Sequence, residues 1–185
     1  MKKPVILFMI LLMANACIFG QRLPSPKLPP SILNPNPGYI NITEFTYGFG
    51  LSKTNTPYSK YLAGVTNTFG YQINRNFITG GGTGLMFYND GFLVPLYLNG
   101  RFAFLVRNRE LSPFITADAG LLISFENFNN GTMLFINPGA GARYTLSSAI
   151  ALNAGLGLFV QTGPENVARD SFFNLKLGIA FLFNQ

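Results

Sequence analysis

Residues 171–183 read SFFNLKLGIAFLF, and this stretch alternates between large apolar side chains and small or polar ones. The apolar set recurs at every second position: Phe173, Leu175, Leu177, Ile179, Phe181 and Phe183. The positions between them include Asn174, Lys176, Gly178 and Ala180. A period of two is typical of a β-strand with one apolar face. Because the other face is small and carries one charge, the pattern favours the wall of a narrow barrel that is apolar outside and polar inside.

The composition of the whole chain indicates alternating strands rather than helices that span a membrane. Of the 185 residues, 48% are hydrophobic and only 11% are charged, which is unusual for a soluble protein. Beyond the N-terminus, however, no apolar run approaches the roughly 18 residues that a membrane-spanning helix needs. High hydrophobicity without such a run predicts strands, and the length predicts one domain behind a leader.

Charge and residue types exclude several classes of function. The net charge of +6 falls to +4 if Lys2 and Lys3 leave with the leader, and the remaining basic residues are scattered. We therefore expect no nucleic-acid partner. The chain contains no histidine, and its one cysteine is Cys17 in the leader. Disulfides and Cys/His metal sites are thus excluded within the chain, and we expect no cofactor.

Residues 1–20 have the pattern of a signal peptide, with two lysines followed by a short apolar stretch. Cleavage is expected after Gly20, with cleavage after Ala16 as an alternative. A second interpretation reads residues 14–17 as a lipidation motif, which would make Cys17 an acylated anchor. Both interpretations predict export across an inner membrane.

Residues 21–37 contain six prolines. Proline lacks an amide N–H and fixes φ, so this segment is predicted to be extended and to lie outside the sheet. At about 3.1 Å per residue it reaches roughly 50 Å. Two interpretations stay open: a loose tail on the periplasmic side, or a peptide that docks on a periplasmic partner.

Residues 38–185 are predicted to form an all-β, eight-stranded antiparallel up-and-down transmembrane β-barrel. From Tyr39 onward, alternating segments of about a dozen residues are separated by clusters of Asn, Asp, Gly, Ser and Pro. The predicted strands are 39–51, 61–73, 77–88, 92–106, 113–125, 132–145, 149–161 and 171–183. Tight joints mostly alternate with longer ones, as expected if turns lie on the periplasmic side and loops on the cell surface.

The placement of charge distinguishes a membrane barrel from a soluble one. If the more apolar parity of each strand faces outward, no charged residue within the strands does so. An Arg or Lys facing the bilayer midplane costs roughly 2–4 kcal/mol, so lipid would enforce this arrangement, whereas a soluble lipocalin-like barrel predicts the opposite. The predicted outward residues are Tyr47, Phe49, Phe69, Tyr71, Phe102, Phe104, Leu121, Ile123, Leu134, Ile136, Leu156, Leu158 and the apolar set of the last strand.

Four phrases of the sequence carry a resemblance to a known family: PLYLNGRFAF (95–104), SPFITADAGLL (112–122), INPGAGARYTL (136–146) and LNAGLGLF (152–159). They resemble the small outer-membrane β-barrel proteins of Bacteroidota, in the wider OmpA/OmpX-like group that also carries the porin-family label. The resemblance covers nearly the whole chain from Tyr39 onward. It implies a lipid-embedded barrel with both termini in the periplasm. It does not imply one activity, because the fold hosts several roles.

The last strand also resembles the C-terminal assembly signal of outer-membrane barrels. That signal consists of a polar residue, any residue, a glycine, two residues of any kind, and then two hydrophobic residues with one residue between them. Lys176, Gly178, Phe181 and Phe183 match it. The chain departs from the pattern by continuing for two residues past the last aromatic. The resemblance implies barrel-assembly machinery as a partner during biogenesis, and the lipid bilayer and lipopolysaccharide as the surroundings of the folded barrel.

Five charged residues are predicted to share the interior of the barrel: Glu44, Arg101, Asp118, Arg143 and Lys176. Eight strands leave an interior that side chains fill, so the leading interpretation is a salt-bridged plug. The alternative is a narrow, gated ion path through this cluster. A catalytic role is the remaining interpretation.

The residue types argue against an enzyme. Enzymes of this architecture, which include lipid A acyltransferases, lipid A deacylases and outer-membrane proteases, rely on histidine with Ser or Asp, and this chain has no histidine. We therefore expect a non-enzymatic outer-membrane barrel that stabilises the envelope or serves as a subunit of an outer-membrane complex. A porin-like narrow channel is the alternative, and a lipid-modifying enzyme is less favoured.

Overall fold

The computed structural model describes residues 37–51, 60–74, 76–88, 91–104, 111–124, 132–162 and 169–183, except for the side chains of residues 169 and 170. The regular structure in these ranges consists of the strands β1 (Gly38–Gly50), β2 (Tyr61–Gln72), β3 (Phe77–Tyr88), β4 (Gly91–Ala103), β5 (Leu111–Ser124), β6 (Thr132–Thr145), β7 (Ile150–Thr162) and β8 (Arg169–Phe183). No helix in them is long and apolar enough to cross a membrane. The predicted leader with Cys17 and the proline-rich segment up to residue 36 lie outside the described residues.

The strands close into a single ring. Each strand pairs antiparallel with the next along the chain, and β8 pairs with β1. At this seam Thr43 lies opposite Ile179 and Gly48 lies opposite Asn174. Closure leaves no strand of the sheet with an unpaired edge. The predicted eight-stranded antiparallel up-and-down barrel is confirmed.

The strands begin and end within three residues of the predicted positions. The largest difference is at the end of β4, which was expected at residue 106 and lies at Ala103. Regular pairing with β5 stops there, opposite Phe114. One further bond, from the Phe104 amide to the Pro113 carbonyl at 2.8 Å, continues the contact. At its start β8 extends two residues beyond the prediction, because Arg169 still pairs with Thr162 of β7.

We call the end of the barrel where β1 begins and β8 ends the lower end, and the opposite end the upper end. At the lower end two side chains hold tight turns. The Asn74 Oδ1 accepts bonds from two backbone amides at 2.9 and 2.8 Å, and the Ser147 Oγ accepts from two amides at 3.3 and 3.1 Å. At the upper end β4 starts at Gly91, whose φ of 151° is accessible mainly to glycine.

Among the described residues, the interior contains two apolar clusters with polar side chains between and beside them. Alternation along each strand produces this arrangement, since every second side chain points inward. The upper cluster, called here the aromatic layer, consists of Leu62, Met86, Leu93, Tyr97, Leu122, Phe135, Phe159 and Phe172. The smaller cluster near the lower end consists of Ile40, Ile42, Ile78, Ala151 and Ala180.

Candidate functional site

The structure places the five predicted interior charges inside the barrel, on five different strands. Glu44 lies on β1, Arg101 on β4, Asp118 on β5, Arg143 on β6 and Lys176 on β8. All five residues are buried, and Arg101 is only 1% exposed. Their strand parity is the cause, because each occupies the side of its strand that faces the lumen. The other parity of these strands includes exposed large apolar residues such as Phe45, Phe102 and Leu177.

The first ion pair crosses the lumen. Arg101 Nη2 donates to Glu44 Oε1 at 2.8 Å, although β4 and β1 are not neighbouring strands. The Cζ atom of Arg101 lies 4.4 Å from the centroid of the Phe114 ring, a cation–π contact. This pair therefore ties opposite parts of the barrel wall together.

The second ion pair is the centre of a hydrogen-bond network. Lys176 Nζ donates to Asp118 Oδ2 at 2.5 Å. The amide of Asn99 donates to Oδ1 of the same carboxylate at 2.5 Å, and the amide of Asn137 donates to Oδ2 at 3.3 Å. Asn174 extends the network by donating to Asn137 at 3.0 Å. A buried carboxylate with three donors is well compensated, so this network stabilises the closed interior.

Arg143 is the third cation, and it lacks a carboxylate partner within the described ranges. Its Nε donates to Asn153 Oδ1 at 3.1 Å, while the two carboxylates of the cluster are paired with Arg101 and Lys176. The described interior therefore carries three cations against two anions.

Glycines on the lumen side make room for these long side chains. A Cβ atom at Gly178 would lie 2.6 Å from Glu44 Cγ, and one at Gly141 would lie 2.7 Å from the Phe114 ring. A Cβ at Gly157 would lie 2.6 Å from Asn174 Oδ1. The absence of side chains at these positions is thus a packing requirement of the polar interior.

The aromatic layer covers the polar interior from above. The rings of Phe135 and Phe159 are stacked with centroids 4.9 Å apart, and Phe172 packs edge-on against Phe159 at 6.2 Å. The Tyr97 hydroxyl is 2.8 Å from that of Thr68. Between this layer and the Asp118–Lys176 pair remains a cavity of about 10 Å³, which is room for about one water molecule.

Solved structures share this architecture. Over 80% of this chain and 99% of theirs, the barrel is similar to neisserial surface protein A of Neisseria, with 14% identity and a TM-score of 0.61. It is also similar to OprG of Pseudomonas aeruginosa, with 9% identity and a TM-score of 0.51 over 80% of this chain and 97% of that one. The fold is that of outer-membrane barrels.

A designed protein has the same topology. A transmembrane β-barrel made by de novo design is 20% identical to this chain, with a TM-score of 0.50 over 80% of this chain and 98% of that one. No protein-family model and no curated protein matches the sequence. At these identities the likeness concerns the fold and not the activity.

A polar patch that was not predicted from the sequence lies at outward-parity positions of β1, β2 and β3, where Asn41 and Asn67 are nonetheless buried. Asn41 and Asn67 exchange two side-chain hydrogen bonds of 2.9 and 3.0 Å, and Asn67 also donates to Thr43 at 2.8 Å. Thr83 lies opposite Asn67 on β3, which continues the row. We call Asn41, Thr43, Asn67, Thr79, Gly81 and Thr83 the outer polar patch. Strand parity could have revealed it, since Asn41 and Thr43 alternate with inward residues in step with the exposed Phe45.

The four residues of the proposed assembly signal divide between the two faces of β8. Lys176 points into the lumen and is buried, and Gly178 occupies the same parity. Phe181 and Phe183 have the outward parity and are partly exposed. Their role in assembly stays a prediction. Among the residues that the structure describes, no group of three or more Asp, Glu, His or Cys residues is placed to hold a metal ion.

Proposed function

We propose that this chain is an integral outer-membrane barrel with a structural or interaction role and without enzymatic activity. The observation that carries the proposal is the sealed interior. Paired charges fill the middle of the lumen, and the aromatic layer covers them at the upper end. Such an interior joins the wall into one rigid body and leaves little free volume for a substrate or a solute.

The outward surface supports insertion in a lipid bilayer. Large apolar side chains on different strands, such as Phe69, Leu134 and Leu177, are 54%, 60% and 62% exposed. No charged side chain that the structure describes within a strand faces outward. In water this exposed apolar surface would be costly, whereas a bilayer would bury it.

We propose that the lower end, where β1 begins and β8 ends, faces the periplasm. We further propose, from the four sequence phrases, that the chain is related to the small outer-membrane barrels of Bacteroidota that carry the porin-family label.

The structure of the lumen favours a closed barrel over the channel alternative. Conduction would require the aromatic layer and at least one ion pair to separate. We therefore expect the purified protein to show no discrete conductance steps in planar lipid bilayers. The matched variant replaces Phe159 and Phe172 with Ala, which removes two rings of the aromatic layer. Steps from the unchanged protein above the detergent background would support the channel instead.

The outer polar patch supports the interaction part of the proposal. Polar side chains on an outward wall are costly in lipid unless they are covered, and Asn41 and Asn67 are only 4% and 2% exposed. Small or polar residues are common where membrane segments pack together. The patch spans three adjacent strands, with Thr43 opposite Asn67 and Asn67 opposite Thr83. We propose that this wall contacts another subunit of an outer-membrane complex.

Gentle detergent extraction followed by native sizing tests this contact. We expect the unchanged protein to elute in a complex larger than the monomer, and the variant Thr79→Leu, Thr83→Leu to elute as the monomer. Ala117→Leu, an outward position on β5, is the control and should retain the complex. Deleting residues 21–37 shows whether the proline-rich segment contributes. If the unchanged protein elutes as a monomer, the proposed contact with another subunit is contradicted, and envelope stability is the structural role that remains.

A further inference from the structure

The lower part of the lumen contains a group of buried hydrogen-bond donors without partners. In the described residues these atoms are Nε and Nη1 of Arg101, Nη2 of Arg143, Oγ of Ser112 and Nδ2 of Asn153. The four residues are between 1% and 6% exposed. An unsatisfied buried donor costs free energy, more so when it is charged, so a cluster of them indicates an occupant.

The strand register places these donors next to one another. Ser112 lies opposite Arg143 on the neighbouring strand, and Arg143 lies opposite Asn153 on the next. All three point into the lumen, where directly opposite side chains are neighbours. Arg101 reaches the same region, because its guanidinium lies over Phe114, which is the next inward residue after Ser112 on β5.

The chemistry of this group favours an anion over water. A water molecule accepts hydrogen bonds but must also donate them. Of the unpartnered acceptors in the described interior, Oδ1 of Asn99 and Oδ1 of Asn174 belong to the Asp118 network, which leaves the hydroxyl oxygen of Ser112 as the one acceptor among the unpartnered atoms of this group. The amide oxygen of Asn153 is already used by Arg143. An anion only accepts, and guanidinium groups are well suited to bind one.

Charge balance points to the same class of ligand. The described interior has one more cation than anions, and Arg143 is the cation without a carboxylate. A buried charge without compensation is strongly unfavourable. We propose that the lower lumen binds one monovalent inorganic anion, such as chloride, held by Arg143 and Arg101 with Ser112 and Asn153 as neutral donors.

Diffraction from crystals grown in sodium bromide tests the site directly, because bromide replaces chloride and scatters anomalously. We expect an anomalous peak in contact with Arg143 Nη2 in the unchanged protein and no peak there in Arg143→Gln. A map with water and no anomalous signal at this position would overturn the proposal, as would a peak that persists in Arg143→Gln. If the variant does not fold, the bromide map of the unchanged chain decides alone.

A solution measurement uses the linkage between binding and stability. At constant ionic strength, replacing gluconate by chloride should raise the urea midpoint of the unchanged protein, because the anion binds the folded state. Arg143→Gln should lose at least half of this rise. Lys60→Gln, which removes one exposed positive charge outside the strands, should retain it. Equal chloride responses in all three proteins would mean that chloride acts by a non-specific salt effect and not by binding at this site, which would overturn the proposal.

Discussion

Replacing Leu156 with arginine is expected to prevent most of the protein molecules from folding into lipid vesicles. Leu156 is the middle residue of β7, and half of its side chain is exposed on the outer wall. A charged side chain at the bilayer midplane costs roughly 2–4 kcal/mol, which is a large part of the stability of a small domain. The folded fraction can be read from the different mobility of boiled and unboiled samples on an SDS gel.

The matched control makes the same substitution at a different depth. Leu146 is also exposed, but it lies just after β6 in the turn at the lower end. Near the membrane interface the cost of an arginine falls to about 0–1 kcal/mol, so Leu146→Arg should fold nearly as well as the unchanged protein. Equal loss of folding in both variants would contradict the proposed position of the barrel in the membrane.

Removing the carboxylate of Glu44 is expected to destabilise the barrel by roughly 3–5 kcal/mol, the usual cost of breaking a buried ion pair. Of the three guanidinium nitrogens of Arg101, Nη2 has Glu44 as its partner and the other two have none in the described structure. Glu44→Ala would therefore leave a buried cation without its carboxylate partner, in contact with the ring of Phe114. Urea unfolding in detergent micelles measures the change.

The double variant Glu44→Ala, Arg101→Met separates the ion pair from the loss of packing. If the cost of the single variant comes from the uncompensated charge, the double variant should be more stable than Glu44→Ala alone. Such non-additivity is expected for residues in direct contact. If the loss of stability in the double variant equals the sum of the losses in Glu44→Ala and Arg101→Met, the pair contributes no coupling energy across the lumen.

The period of two in the sequence was sufficient to predict the fold class, the number of strands and their approximate bounds. The alternation of apolar and polar residues lies within each segment, as in 171–183. It also restricts the register, because a shift of one residue would exchange the two faces of the strand. The strand ends were less predictable. β4 stops at Ala103, where regular pairing with β5 stops, and that depends on a partner strand rather than on local residues.

The parity signal also assigned the charged residues to the inward face, but it was not applied to the polar residues of the outward face. Asn41, Thr43 and Asn67 have the outward parity and form the hydrogen-bonded part of the outer polar patch. Their position was readable from the sequence. Their mutual pairing was not, because it depends on the register between β1 and β2.

The sequence by itself determined a barrel with an apolar outside and a charged inside, because alternation is a local property of each strand. The tertiary structure alone decided how the inside is arranged. Glu44 pairs with Arg101 and Asp118 with Lys176 across 57 and 58 residues of chain, while Arg143 is left without a carboxylate in the described interior. These contacts join strands that are not neighbours, so they depend on how the closed ring staggers its strands, which no single strand encodes.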